Sequence, residues 1–125
     1  MTELNIARTT STPEVRFDQG SRRLIVTGES YPENSFDFYA PVLDWLAANL
    51  PSMSGLTLVV SVTYMNSSSI KCMLDILDAM EEAHTAGKQV SVVWNYEKDN
   101  PRALDLAEEF RSEVTIPFAV NAVES

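Results

Sequence analysis

At 125 residues with 45% hydrophobic content, the chain is long enough for one buried core and too short for two, so residues 1–125 read as a single domain. Eighteen acidic against nine basic residues leave a net charge of −9. That balance argues against nucleic acid, whose phosphates are met by Lys and Arg, and against an anionic membrane surface. Protein partners are the expectation.

In chain order, Met1-Thr2-Glu3-Leu4 lacks the basic region and apolar run of a signal peptide. No later apolar stretch approaches the ~20 residues needed to cross a bilayer, so a cytoplasmic location is expected. Leu4 to Ala7 predicts a short edge strand. Val15 to Asp18 and Arg23 to Thr27 flank Gln19-Gly20-Ser21 and read as a hairpin. A polar loop, Gly28 to Ser35, leads into a first helix from Ser35 or Phe36 to Asn49. Tyr39, Val42, Leu43, Leu46 and Leu50 give that helix one apolar face. Pro41 removes an interior hydrogen bond, which either delays the regular helix or distorts its first turn.

Leu56 to Thr63 is almost continuously apolar and predicts a strand covered on both faces. A second helix follows from about Ser68 to Thr85, with Ile70, Met73, Leu74, Leu77 and Met80 inward and Gly87 ending it. Cys72, the only cysteine, lies beside this stripe as a small core residue; no intrachain disulfide forms, as suits a reducing compartment. Gln89 to Tyr96 is a further strand. Asn100-Pro101 caps and opens a third helix reaching Arg111. Val114 to Val120 closes the sheet, with Pro117 indicating an edge. Strands alternating with three main helices after an N-terminal hairpin predict an α/β fold with a mostly parallel sheet and right-handed crossovers.

In such sheets functional loops gather at the carboxyl ends of the strands. Tyr64-Met65-Asn66-Ser67-Ser68-Ser69 lies at such an end, where a strand meets a helix. Helix N-termini carry unpaired N–H groups and partial positive charge, so a phosphate is tolerated there. One of the serines thus reads as a site of reversible phosphorylation rather than as a nucleophile. Asn66 or Ser67 also reads as the helix N-cap, and the two roles coexist.

Chemistry within the chain itself is disfavoured. His84, the only histidine, falls seventeen residues after Ser67. Along one helix that is roughly 25 Å, far outside hydrogen-bond reach of a serine nucleophile. Its position beside the apolar stripe predicts a partly buried packing role. One His and one Cys are too few for the usual zinc site. Asp75, Asp78, Glu81, Glu82, Glu108 and Glu109 read as solvated helix faces. Four glycines form no phosphate-binding loop. The expectation is a protein without enzymatic activity, metal or cofactor. Surface recognition remains, and Phe38, Pro41 and Trp45 recur at spacings of three and four on the first helix. They either pack against the hairpin or offer a partner an aromatic anchor.

Three segments carry a likeness to a known family: Ser11-Thr12-Pro13-Glu14-Val15, Gly28-Glu29-Ser30-Tyr31-Pro32-Glu33-Asn34-Ser35, and Tyr64-Met65-Asn66-Ser67-Ser68-Ser69-Ile70-Lys71. Glu81-Glu82-Ala83-His84, Trp94-Asn95-Tyr96, Ala107-Glu108-Glu109-Phe110 and Pro117-Phe118-Ala119 extend it in order along nearly the whole chain. Together they resemble the SiaC-type regulatory phosphoproteins of bacteria. The resemblance implies a STAS-like fold, that of anti-anti-sigma factors, and a partner switch. A dedicated kinase phosphorylates such a protein and a PP2C-like phosphatase reverses it. The unphosphorylated form binds and activates a diguanylate cyclase.

The family's acceptor is typically a threonine after the asparagine; here that position is Ser67, with Ser68 as alternate. The phosphate is expected to block an interface centred on this loop. Tyr31, Asn34, Tyr64 and Asn66 are its candidate contacts, with Phe38 and Trp45 as apolar anchors. Two other readings stand beside this one: an antagonist in a sigma-factor pathway, and a small-molecule or lipid carrier whose STAS-like fold covers an apolar cavity.

Overall fold

Burial alternates residue by residue along the central strands, and this decides the architecture. The computed structural model describes residues 3–124; Met1 and Thr2, in the segment read as lacking a signal peptide, and Ser125 lie outside the described residues. Its strands are β1 (Asn5–Ile6), β2 (Glu14–Asp18), β3 (Arg23–Ser30), β4 (Gly55–Met65), β5 (Gln89–Glu97) and β6 (Phe118–Val123). The helices are α1 (Ser35–Asn49), α2 (Ser67–Thr85) and α3 (Pro101–Ser112), with a 3-10 turn at Leu50–Ser52 after α1.

The sheet runs β1-β2-β3-β4-β5-β6. The first two pairings are antiparallel and the remaining three parallel. This is the α/β, mostly parallel architecture with an N-terminal hairpin and three helices that the element order predicts.

Leu24 and Val26, Leu58 and Val60, and Val92 and Trp94 are buried on one face of neighbouring strands. On the other face Thr57, Val59 and Ser61 are only half-buried and Thr63 is exposed. The expectation that β4 is covered on both sides is therefore corrected. Parallel strands added successively in one direction by right-handed crossovers place every connecting helix on the same side. Thr57, Ser61 and Thr63 place hydroxyls on the open face, and Val59 among them is what makes the run look continuously apolar. Aromatic contacts fix the helices to the covered face: Trp45 of α1 lies 4.7 Å from Phe17, and Phe110 of α3 lies 4.9 Å from Trp94.

Each helix starts at an asparagine. Asn34, Asn66 and Asn100 accept hydrogen bonds from the backbone N–H of Asp37, Ser69 and Ala103. Each thus satisfies a donor that the helix cannot. α1 is regular from Ser35 through Pro41, so the proline neither delays the helix nor ends it. It removes only the bond to the carbonyl four residues earlier. α2 stops at Gly87, whose φ of +93° is accessible to glycine without strain.

Several boundaries, one burial and the role of one carboxylate differ from expectation. β3 and β4 run on to Ser30 and Met65, converting the first residues of two supposed loops into strand. β6 begins only at Phe118 because the chain before it is anchored elsewhere. The Glu81 carboxylate accepts from the Thr115 backbone N–H at 2.8 Å and from its hydroxyl at 2.5 Å. Those bonds hold the Glu81 carboxyl below the usual carboxylate range, so this residue is a clamp rather than part of a solvated face. His84 is exposed, correcting the packing role assigned to it; Ala83 occupies the buried position instead. Cys72 is fully buried, and burial pushes its thiol up, as fits a core residue. No helix of the described residues is long and apolar enough to cross a membrane.

Candidate functional site

Parallel pairing of β3 with β4 places Ser30 beside Met65 and Glu29 beside Tyr64. Two strand-to-helix junctions therefore share one edge of the molecule. They are stitched together by the backbone: Asn66 donates its N–H to the Ser30 carbonyl at 2.9 Å. The Asn66 side chain adds a donation to the Pro32 carbonyl at 3.3 Å while its oxygen caps α2. A third segment reaches the same edge from the N-terminal region. Tyr31 donates its N–H to Ser11 and its hydroxyl to Thr10, both at 2.8 Å.

Between the two junctions lies a set of buried hydroxyls. Ser30, Ser35 and Ser69 are at most 1% exposed, and Tyr39 is fully buried. Ser30 and the Tyr39 hydroxyl are 2.6 Å apart, and Ser30 donates to Ser69 at 2.7 Å. Ser35 stands 3.1 Å from Ser69 and 2.7 Å from Ser68. Buried hydroxyls persist when paired, and these pair with one another.

The three serines that open α2 are thereby sorted. Ser69 is buried, Ser68 is half-buried and bonded, and Ser67 is exposed. Among the described residues the Ser67 hydroxyl forms no hydrogen bond. It sits at N1, immediately after the Asn66 cap, and Lys71 follows one turn later on the surface. Asn66, rather than Ser67, is the N-cap.

Four large apolar side chains among the described residues are exposed, and three belong to these junctions: Tyr31 at 41%, Phe36 at 55% and Tyr64 at 55%. Tyr31 and Tyr64 meet edge-on with ring centres 5.9 Å apart. An exposed aromatic cluster is unusual on an otherwise polar surface and is the kind of feature that anchors protein interfaces. Of the residues named from the sequence, Tyr31, Asn34, Tyr64, Asn66 and Ser67 all fall at this edge. Trp45 does not belong with them: it is 5% exposed and packs on Phe17 of the hairpin, which places it in the core rather than on a binding surface. Phe38 is half-buried against the core and meets Tyr39 edge-on at 4.8 Å.

Phe36, absent from the sequence-derived set, takes the exposed position instead. Ser30, Ser35 and Tyr39 were equally unmarked as site residues. The only trace in the sequence is an excess of serine in the two junction segments. Beside Tyr64, a cleft of about 330 Å³ opens between α2 and α3, lined by Met65, Ile70, Trp94, Ala103 and Leu106 among others.

Burial pushes the Tyr39 hydroxyl up to about 12 from the ordinary 10.0. Above pH 10 the unfolded chain loses this proton while the folded protein retains it, so stability falls as pH rises from about 10 to about 12. The contribution, fully present below pH 10, is on the order of 2 kcal/mol. Denaturant titrations across this range should show the loss in the natural protein, and Tyr39→Phe should flatten that part of the curve. An unchanged slope in Tyr39→Phe would place the titration elsewhere.

Comparison with known proteins agrees with the junction's composition. A protein-family profile described as "SiaC family regulatory phosphoprotein" matches residues 6–123. An uncharacterised protein of Pseudomonas aeruginosa is 45% identical over 123 residues, covering 98% of each chain. The crystal structure of apo-SiaC from Pseudomonas aeruginosa superposes with a TM-score of 0.92 at 44% identity, over 98% of this chain and 100% of that one. A chain in the crystal structure of the diguanylate cyclase SiaD in complex with its activator SiaC, from the same organism, matches at 45% identity. Its TM-score is 0.91, over 96% of this chain and 99% of that one. The chain belongs to the SiaC family of regulatory phosphoproteins.

Proposed function

We propose that this chain, acting as one regulatory domain in the cytoplasm, binds and activates a diguanylate cyclase when unphosphorylated and releases it when Ser67 carries a phosphate. A dedicated serine/threonine kinase adds the group and a PP2C-like phosphatase removes it; the chain itself performs no catalysis. The observation carrying this reading is the placement of Ser67. It is the exposed hydroxyl of the α2 first turn, unbonded among the described residues, at the edge that carries the exposed Tyr31, Phe36 and Tyr64. A relative of similar fold is named as the activator in a complex with a diguanylate cyclase, which supports the choice of partner.

The switch acts by clash rather than by refolding. The α2 N-terminus tolerates added negative charge, and Lys71 four residues on pairs weakly with it. The fold therefore keeps its shape while its surface changes. A phosphoserine carries ~1.5 to 2 negative charges at neutral pH, which an aromatic interface does not accommodate.

The test uses the purified chain with its cognate kinase and cyclase. Peptide mass spectrometry is expected to place the phosphate on Ser67, and the unmodified chain is expected to stimulate cyclic-di-GMP synthesis. Labelling of Ser67→Ala to the natural extent would overturn the acceptor assignment. A cyclase indifferent to the unmodified chain would overturn the partner.

A further inference from the structure

We infer that Ser35 selects the phosphoacceptor by holding the Ser68 hydroxyl in a hydrogen-bonded chain, which leaves Ser67 as the hydroxyl open to phosphoryl transfer. The inference rests on the junction being a phosphorylation site, as proposed above, and names the residue that decides which serine is used.

Donor accounting carries it. Each hydroxyl has one proton to give. Ser30 gives its proton to Ser69 at 2.7 Å, so the 2.6 Å contact with Tyr39 is a donation from the tyrosine. Ser69 then donates to Ser35 at 3.1 Å, Ser35 and Ser68 are bonded to each other at 2.7 Å, and both reach the Asn66 Oδ1, Ser68 at 3.3 Å and Ser35 at 3.4 Å. Every hydroxyl from Tyr39 to Ser68 has a partner for its proton. The chain ends on the cap of α2, whose oxygen also accepts the Ser69 N–H at 2.9 Å. Such chains strengthen their members by mutual polarisation.

Phosphoryl transfer forms a bond between a seryl oxygen and the γ-phosphorus of the kinase's nucleoside triphosphate. It breaks the β,γ-bridging P–O bond and passes the seryl proton to a kinase carboxylate. The attacking oxygen needs a free lone pair and an unobstructed approach in line with the leaving group. Ser68 is restricted on both counts: the Ser35 hydroxyl lies against its oxygen at 2.7 Å, its proton has partners in Ser35 and Asn66, and the side chain is half-buried. Ser67, one residue earlier, is exposed with its hydroxyl unbonded among the described residues. Ser35 occupies this position because it opens α1, and the β3–β4 register sets the two helix starts side by side.

Cysteine substitutions test the shielding without any kinase, because the native Cys72 is fully buried. Ser67→Cys is expected to react with iodoacetamide about tenfold faster than Ser68→Cys, the factor supplied by a bond of about 1.4 kcal/mol. Adding Ser35→Ala to Ser68→Cys should raise its rate about tenfold. Ser30→Ala removes a buried hydroxyl that does not touch Ser68 and should raise the Ser68→Cys rate by less than about twofold, which separates selection from general loosening.

Equal rates for the two cysteines, or equal effects of Ser35→Ala and Ser30→Ala, would overturn the role of Ser35. With the cognate kinase, Ser67→Ala should carry no phosphate on Ser68, and Ser67→Ala combined with Ser35→Ala should gain it. Full labelling of Ser68 in Ser67→Ala, or none in the combined variant, would also overturn the selection. A kinase that labels no version of the chain would sink the regulatory reading, while the thiol rates still decide whether Ser35 shields Ser68.

Discussion

A phosphate on Ser67 is expected to weaken binding to the cyclase by about a hundredfold or more. The hydroxyl lies in the open beside Tyr31, Phe36 and Tyr64, so a partner seated on those rings must cover it. Covering a phosphate that no Arg or Lys of the partner meets costs several kcal/mol in lost hydration. A loss of only ~3 kcal/mol already weakens binding more than a hundredfold, enough to dissociate a submicromolar complex. Glu29 and Arg8 line one cleft with Tyr31, and Arg102 lines another with Tyr64, so charges of both signs border this edge.

The net charge of −9 adds long-range repulsion toward an acidic partner, but salt screens that over ~8 Å. Desolvation is local and is not screened away. Titrating the cyclase with both forms at low and high salt separates the two effects. Equal affinity for both forms would sink the switch; a difference that vanishes in high salt would assign it to long-range charge.

Truncating Trp45 is expected to cost about 3–5 kcal/mol of stability, the range for removing a large aromatic side chain from a packed core. For a chain of this size that is a fall of roughly 10–20 °C in melting temperature. Trp45 is 5% exposed and lies 4.7 Å from Phe17, so its removal opens a cavity between α1 and the hairpin. Tyr64→Ala and Phe36→Ala should behave in the opposite way. Both side chains are 55% exposed, and surface truncations of this kind usually change stability by less than about 0.5 kcal/mol. Their expected effect is on affinity, at about tenfold each, as for aromatic anchors near the centre of an interface.

Thermal melts and cyclase titrations on the three variants distinguish the roles. A Trp45→Ala chain that melts like the natural protein yet fails to bind would restore the tryptophan as an anchor. Unchanged affinity in both Tyr64→Ala and Phe36→Ala would move the interface away from this edge.

The amino-acid sequence by itself determined the element order, the parallel sheet and the position of the junction. These follow from local physics: apolar residues at strand and helix periods, asparagines that cap, a glycine that stops α2, and hydroxyls at a helix start. The serines after Asn66 were legible as a candidate site because their chemistry and their place at a strand end coincide within a few residues, and Ser67 was singled out among them by the family resemblance.

Only the tertiary structure decided which serine is open and which aromatics face outward. Ser35 and Ser68 are 33 positions apart, and Ser30 and Ser69 are 39 apart, yet each pair is 2.7 Å apart in space. Such bonds exist only once β3 and β4 pair in register, and no local pattern encodes them. Trp45 and Phe36 illustrate the same limit, since both are apolar residues of one helix. Helical spacing says that a face is apolar, but the position of the hairpin against α1 determines which of the two is covered.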